Sequence, residues 1–293
     1  MWTEHVPTED NLDSKVFPRM VGLAEVLWTY DENRSFTEFT SRLEKHYPRL
    51  EDFGVNYGFE KIPVRFETEI VEGGIRVSVQ KATPELIAKV KYTGGMSTEW
   101  NSDSTFSVSQ KLKFTANLNG RDYPKDFPLN VSVHKGIGIE PNINAEFSPY
   151  YKAGGPSGLT DGIKATIDFR DGRWQGYQID KPLEIVIDLG ESQFVQAFIS
   201  SFYQYNNAWI FAPTKVEYFA STDGITYNLI GSDEPRIKMQ EKGKFIESFV
   251  VDLKEPVDAR FVKLVANSIG RCPSWHDAAG STSWLFVDEF VIN

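Results

Sequence analysis

The sequence predicts a mainly β protein that opens with a short helical region. Three observations carry the prediction. Aromatic residues make up 14% of the chain, with 7 Trp, 12 Tyr and 21 Phe, a share typical of strand-rich domains. After roughly residue 60, short alternating apolar stretches are separated by glycine-bearing turns to the C-terminus. Before it, apolar residues recur at helical spacing. A length of 293 residues suggests about two domains.

In order along the chain, Phe17, Met20, Val21, Ala24, Leu27 and Trp28 fall on one face of a helix. Ser35-Phe36-Thr37-Glu38 reads as a capping box, in which the Ser35 hydroxyl and the Glu38 carboxylate satisfy free amides at the start of a second helix. Phe36, Phe39, Leu43 and Leu50 continue its apolar face, Pro48 interrupts it and Gly54 ends it. From Ile62 to about Pro141, strands are expected at Val64–Phe66, Ile75–Val79, Ala88–Tyr92, Leu112–Phe114 and Val131–Val133, with turns at Gly73-Gly74, Gly94-Gly95 and Asn119-Gly120. From about Asn142, longer strands at Leu183–Leu189, Phe194–Ser201, Lys215–Ala220, Phe261–Ala266 and Leu285–Ile292 suggest a β-sandwich or jelly roll.

Composition removes several functions. A net charge of −10 without any Lys/Arg-rich run repels nucleic-acid phosphates. No stretch approaches the ~18 apolar residues of a membrane span, and the N-terminus lacks a signal pattern. The single cysteine, Cys272, allows no internal disulfide, and Cys-x-x-Cys and His-Glu-x-x-His are absent, so redox and zinc chemistry drop out. Cys272 lies beside Arg271 and four residues before His276, too little for a nucleophile, which needs a positioned base and an orienting group. Asp31-Glu32 and Asp233-Glu234 read as solvated turn carboxylates. Asp288-Glu289 lies in a strand, where neighbouring side chains point to opposite faces. None is expected to catalyse.

Trp2-Thr3-Glu4, Phe17-Pro18-Arg19-Met20 and Ala24-Glu25-Val26-Leu27-Trp28 resemble the last strand end and last helix of the barrel in family 20 β-N-acetylhexosaminidases. The likeness implies that Trp2 walls the N-acetylglucosamine ring and Glu4 hydrogen-bonds its hydroxyls. The family's catalytic Asp-Glu pair belongs to an earlier barrel strand, and its His-x-Gly-Gly-Asp-Glu motif is absent here, so this chain is expected to be inactive. Lys91-Tyr92-Thr93-Gly94-Gly95 and Lys113-Phe114-Thr115-Ala116 are similar to the small C-terminal β domain of chitobiase-type enzymes. Leu159-Thr160-Asp161-Gly162, Ile185 to Gly190, Pro213 to Gly224, Ala259 to Leu264 and Val287 to Val291 resemble the discoidin or coagulation factor 5/8 C-type fold, which includes family 32 carbohydrate-binding modules. One departure is local: that family usually has a Trp two residues after the Thr following Asp-Gly, whereas here it comes at Trp174.

The expected organisation is a helical remnant of a (β/α)8 barrel at 1–60, a small antiparallel β domain at 61–141 and a discoidin-like sandwich at 142–293. The resemblance implies a structural calcium held by Asp161, the Thr166 hydroxyl and Glu289, which offer the hard oxygen atoms that ion requires, and no cofactor for catalysis. Sugar recognition needs aromatic rings and polar groups on loops. The stretches Tyr203 to Trp209 and Arg271 to His276 supply Trp209, Asn206, Arg271, Trp275 and His276. The bland alternative has Trp209 and Trp275 plugging the ends of the sandwich; Trp174, near a turn, and Trp284, entering the last strand, read as structural.

The chain is therefore expected to be the non-catalytic C-terminal region of a periplasmic, secreted or cell-surface β-N-acetylhexosaminidase acting on terminal N-acetylhexosamine. Its expected partners are glycans bearing N-acetylhexosamine or galactose-type sugars and its own missing catalytic barrel. The alternative is a structural module packing on that barrel without binding sugar. Met20, Leu27 and Trp28 are expected to be covered, by a second copy or by the β domain.

Overall fold

The computed structural model describes residue 6 and residues 9–58, 63–118, 120–123 and 126–293. Trp2, Glu4 and Asn119 lie outside the described residues. The chain forms two compact units, one built on the N-terminal helices, the other holding Phe66–Val79, Lys89–Phe114 and Asp126–Asn293.

Among the described residues the first unit contains four α-helices rather than two: α1 Glu9–Val16, α2 Arg19–Trp28, α3 Phe36–Glu44 and α4 Tyr47–Asp52. Helix α1 is polar, which hides it from an apolar periodicity test. Pro18 separates it from α2 because a proline has no N–H to continue the ladder. The serine half of the capping box forms at α3, where Ser35 Oγ accepts the Glu38 N–H at 3.4 Å. Pro48 does not interrupt a helix; it stands in the first turn of α4, where the missing N–H has no intrahelical partner anyway. Gly54, at φ +69°, ends α4. An ion pair between Glu25 and Arg42 joins α2 to α3. No residue of α2 is buried, and Met20, Leu27 and Trp28 are 54%, 71% and 87% exposed in the single chain. The cover expected for this face is not part of its own unit.

In the second unit, Ile75 to Val77 pairs antiparallel with Ser104–Phe106. Gln110 to Phe114 pairs with Phe127–Val131, and Val131 in turn lies opposite Ile163. The dominant element is a seven-stranded antiparallel sheet whose spatial order is Gln175–Tyr177, Leu285–Ile292, Leu183–Gln204, Phe245–Ala266, Val216–Ser221 and Asn228–Asp233, with Asn142–Ile143 pairing off the main path.

Two 22-residue strands run through this sheet, from Leu183 opposite Ala266 to Gln204 opposite Phe245. The alternation reads as two separate strands at Leu183–Leu189 and Phe194–Ser201. The structure joins them through register shifts between Asp188 and Gln193 and between Val195 and Ala197, bulges that bend the ladder without ending it. Residues Phe245 to Leu253 were not anticipated as strand because Glu247, 3% exposed, occupies an inward position. Its carboxylate is satisfied there by the N–H groups of Arg236 at 3.2 Å and Ile237 at 3.0 Å. The core between the sheet layers is filled by Leu183, Ile185, Phe198, Phe202, Tyr218, Phe249 and Phe290. The last strand is buried at all eight positions, so it reads as one apolar run.

Gly162 sits in a closely packed turn. It has φ +78°, and a Cβ there would lie 2.2 Å from Ile75 Cδ1, 2.8 Å from Ile137 Cδ1 and 3.0 Å from Ser132 O. Gly162→Ala is therefore expected to destabilise the protein by about 2–4 kcal/mol, combining overpacking with left-handed strain. Urea unfolding checks this; an unchanged midpoint would mean that the turn relaxes freely.

Candidate functional site

The loops that follow the Leu183–Gln204 and Phe245–Ala266 strands meet at Asn206. This residue, 7% exposed, donates from Nδ2 to the carbonyls of Met239 at 2.9 Å and Glu241 at 3.2 Å. Its own carbonyl accepts the Trp209 N–H and His276 Nε2–H, each at 2.8 Å. His276 Nδ1 accepts the Ala278 N–H, so the contacts place the imidazole proton on Nε2. Asn206 and His276 thus hold three loops together, 205–209, 236–244 and 271–276, and Asn206 is an internal tie with little surface to offer a ligand.

The two tryptophans are displayed beside this tie. Trp209 is 41% exposed and Trp275 is 43% exposed, while Trp174 is 1% exposed in a core cluster with Tyr203, Ile210 and Phe286, against which Trp284 packs. Trp275 is braced edge-on by Phe211, with centroids 6.2 Å apart, and by His276 at 5.7 Å. Trp209 takes the left-handed conformation, φ +61° and ψ 21°. A non-glycine residue is strained there, and such strain persists where the surrounding structure dictates it. The Trp209 carbonyl accepts the Trp284 N–H at 2.8 Å, which fixes the backbone that presents the ring. Arg271 is exposed, bonded to the Gly280 carbonyl at 2.9 Å and paired with Asp180 at 3.4 Å. Cys272 is buried, and burial pushes its thiol above the ordinary range, away from nucleophilic character. Four of the five sugar candidates are therefore on or near the surface of one loop cluster.

Sequence reasoning missed the 236–244 loop, whose Lys244 ammonium stands 5.3 Å over the Tyr205 ring. Its density of lysines was the available signal. A separate cavity of about 470 Å³, lined by Ser221, Thr222, Asp223, Thr226, Asn228 and Asp258 among others, has no aromatic side chain in its lining.

Of the calcium candidates Glu289 lies in the interior, and Asp161 and Thr166 are half-buried. Asp161 Oδ1 accepts the Ile163 N–H at 2.8 Å, closing a turn. Glu289, fully buried, accepts the Gly162 N–H at 2.8 Å and the His134 Nε2–H at 2.7 Å, both on Oε1. Its Oε2 and the Oδ1 of buried Asp288 receive no hydrogen bond. Burial, then the neighbouring Glu289 charge, pushes Asp161 up to about 7, and burial pushes Glu289 up to about 8. His134 is pushed down to about 4, by burial first and then by Lys164; it is neutral, with Nδ1 accepting the Gly136 N–H at 3.2 Å.

A buried carboxyl with an unbonded oxygen beside a half-buried one offers hard oxygen ligands to a divalent cation, with Lys164 and Arg173 already facing the pair. Among the described residues no three His, Cys, Asp or Glu side chains form a metal-holding group, so further ligands would have to be carbonyl oxygens. Thr166 sits in the adjoining loop. Its hydroxyl already accepts the Asp168 N–H at 3.2 Å and bonds the Asp171 carboxylate, leaving the backbone carbonyl, which takes the Trp174 indole N–H at 3.0 Å, as its remaining oxygen. His134 was invisible in sequence because its partner is 155 positions away.

The F5/8 type C domain model matches residues 142–287, and the glycosyl hydrolase family 20 catalytic domain model matches residues 1–31. The beta-hexosaminidase of Porphyromonas gingivalis is 33% identical over 57 residues, which cover 20% of this chain and 7% of that protein. The match thus spans a small part of the relative's length.

Among solved structures, a module from a family 31 glycoside hydrolase of Clostridium perfringens is 16% identical, covering 54% of this chain and 97% of its own, with a TM-score of 0.31. A Streptococcus pneumoniae fucose binding module is 14% identical, covering 55% and 94%, with a TM-score of 0.34. The family 32 module from C. perfringens NanJ, solved with galactose, is 18% identical, covering 51% and 94%, with a TM-score of 0.30.

Proposed function

From the premise that residues 142–287 are an F5/8 type C domain, we propose that this domain binds a glycan at the loop cluster around Asn206. The observation that carries the reading is the pair of half-exposed tryptophans, Trp209 and Trp275, on two loops tied by one hydrogen-bonded hub. An aromatic face stacks on the C–H face of a pyranose, and Arg271 is exposed on the loop of Trp275 to read hydroxyl groups, whereas both ring nitrogens of His276 are bonded within the loops. Asn206 acts by holding the loops.

The chain as a whole is, in this reading, the non-catalytic C-terminal part of a β-N-acetylhexosaminidase that removes terminal N-acetylhexosamine. It comprises a barrel remnant at 1–60, a small β domain at 61–141 and the binding module at 142–293. Tethering the module to a barrel raises the local substrate concentration, which needs no tight monovalent affinity. Such a protein would work outside the cytoplasm, in the periplasm or at the cell surface. Among the described residues no helix is long and apolar enough to cross a membrane. Asp161 and Glu289 would hold a calcium ion, with Thr166 contributing its carbonyl, and the ion would neutralise the carboxylates and pin their loops.

Calorimetric titration of the purified chain with N-acetylglucosamine, N-acetylgalactosamine and galactose tests the reading. Saturable heat from at least one sugar is expected. No heat from any at millimolar concentration would replace the glycan site with a structural module that packs on its barrel.

A further inference from the structure

The loop that Asn206 ties to the aromatic platform is basic in an otherwise acidic chain. Residues 236–244 hold Arg236, Lys238, Lys242 and Lys244 against one carboxylate, Glu241, while the whole chain carries −10. Arg236 is consumed by Asp233 at 2.7 Å, by Glu247 at 3.5 Å and by the Ser248 carbonyl. Among the described residues, Lys238, Lys242 and Lys244 are exposed and none stands in an ion pair. The loop is held in place: Gln204 Nε2 donates to the Lys238 carbonyl at 2.8 Å, Asn206 holds the Met239 and Glu241 carbonyls, and Lys244 lies over Tyr205, four residues from the strained Trp209. Lys238 and Lys242 are thereby carried without a counter-charge, and Lys244 rests on the Tyr205 face, on a loop tied to the 205–209 turn.

A neutral hexose offers them no counter-charge. We infer that the loop cluster takes an anionic glycan, a sugar bearing a sulfate or a carboxylate, with the anionic group on Lys242 and Lys244 and the ring on the tryptophans. This rests on the glycan-binding reading above and names its substrate class. Lysine suits the task because an ammonium meets an anion as a point charge from many directions, unlike a bidentate guanidinium. The long-range field of the acidic chain works against anions, so the preference acts at contact and is sensitive to salt.

The test compares galactose with sulfated galactose, N-acetylglucosamine with its sulfate, and lactose with sialyllactose, by calorimetry on the full chain at low and high ionic strength. At least one anionic sugar is expected to bind about 5-fold or more tighter than its neutral parent at low salt, the sum of two exposed ion pairs of ordinary strength. That ratio is expected to fall toward one at high salt and in Lys242→Ala/Lys244→Ala, and to persist in Lys254→Ala, a control away from the loop. Which arm responds, sulfate or carboxylate, identifies the anionic group. Equal affinities for neutral and charged sugars, all weakened in Trp209→Gly, would overturn the anionic preference and leave the glycan site standing. A preference that survives the double lysine variant would overturn its placement on this loop. No binding of any sugar would overturn both readings.

Discussion

Trp209→Gly is expected to weaken sugar binding about 30-fold while changing the protein's stability by no more than about 1 kcal/mol in either direction. Glycine adopts φ +61° without the steric cost that a tryptophan bears there. The indole is 41% exposed, so it also packs over part of its surface, and losing that packing offsets the relieved strain. What it offers is stacking area: on the order of 80–100 Å² of apolar surface covered by a sugar is worth about 2 kcal/mol, roughly 30-fold in affinity.

This pairing of outcomes separates a binding residue from a structural one, since a tryptophan needed for packing would cost stability when removed. Trp275→Ala is expected to lose binding similarly, but with a cost in stability of about 1 kcal/mol, because its ring braces Phe211 and His276. Calorimetry and urea unfolding on both variants decide the matter. Undiminished sugar affinity in both would remove the platform.

The second large effect is the response to calcium and pH. Asp161 and Glu289 have folded-state values of about 7 and about 8, above the ~3.9 and ~4.3 of an unfolded chain. A raised carboxyl contributes stability that is fully present below the unfolded value and is lost as pH rises through the folded value. His134 runs the other way. Its value is depressed to about 4 from an ordinary ~6.5, so its contribution is lost as pH falls below that range, and above it His134 is neutral whether folded or not.

In chelator, the melting temperature is therefore expected to fall between about pH 6.5 and pH 8, where only the carboxyls titrate. Calcium binds their ionised form and should raise the melting temperature at the upper end, by roughly 5–10 °C at a hundredfold excess over its Kd. Glu289→Gln, which keeps the shape, should lose most of the calcium response. A melting temperature indifferent to calcium at both ends of the range would sink the metal assignment.

Local features were legible directly. The Ser35 cap on the Glu38 N–H involves residues three apart, and the strand Leu285–Ile292 is a run buried on both faces, so each reports its own structure. Trp174 and Trp284 were likewise read as structural, and both pack in one core cluster. By itself, then, the sequence determined a mainly β chain with a helical N-terminus and the stretches from which a binding face could be built. Apolar periodicity and turn residues act within a few positions and survive in a one-dimensional reading.

Only the tertiary structure decided the rest. It joined two expected strands into one of 22 residues across a bulge, turned Glu247 inward onto the N–H groups of a distant loop, and put His134 against Glu289. It made Asn206 an internal tie and brought the lysine loop beside the aromatic residues. In each case a polar group is satisfied by a partner far along the chain. Such pairing is selected by burial, because an unpaired polar group in the interior costs more than the contact gains at the surface, and no local pattern records which partner will be chosen.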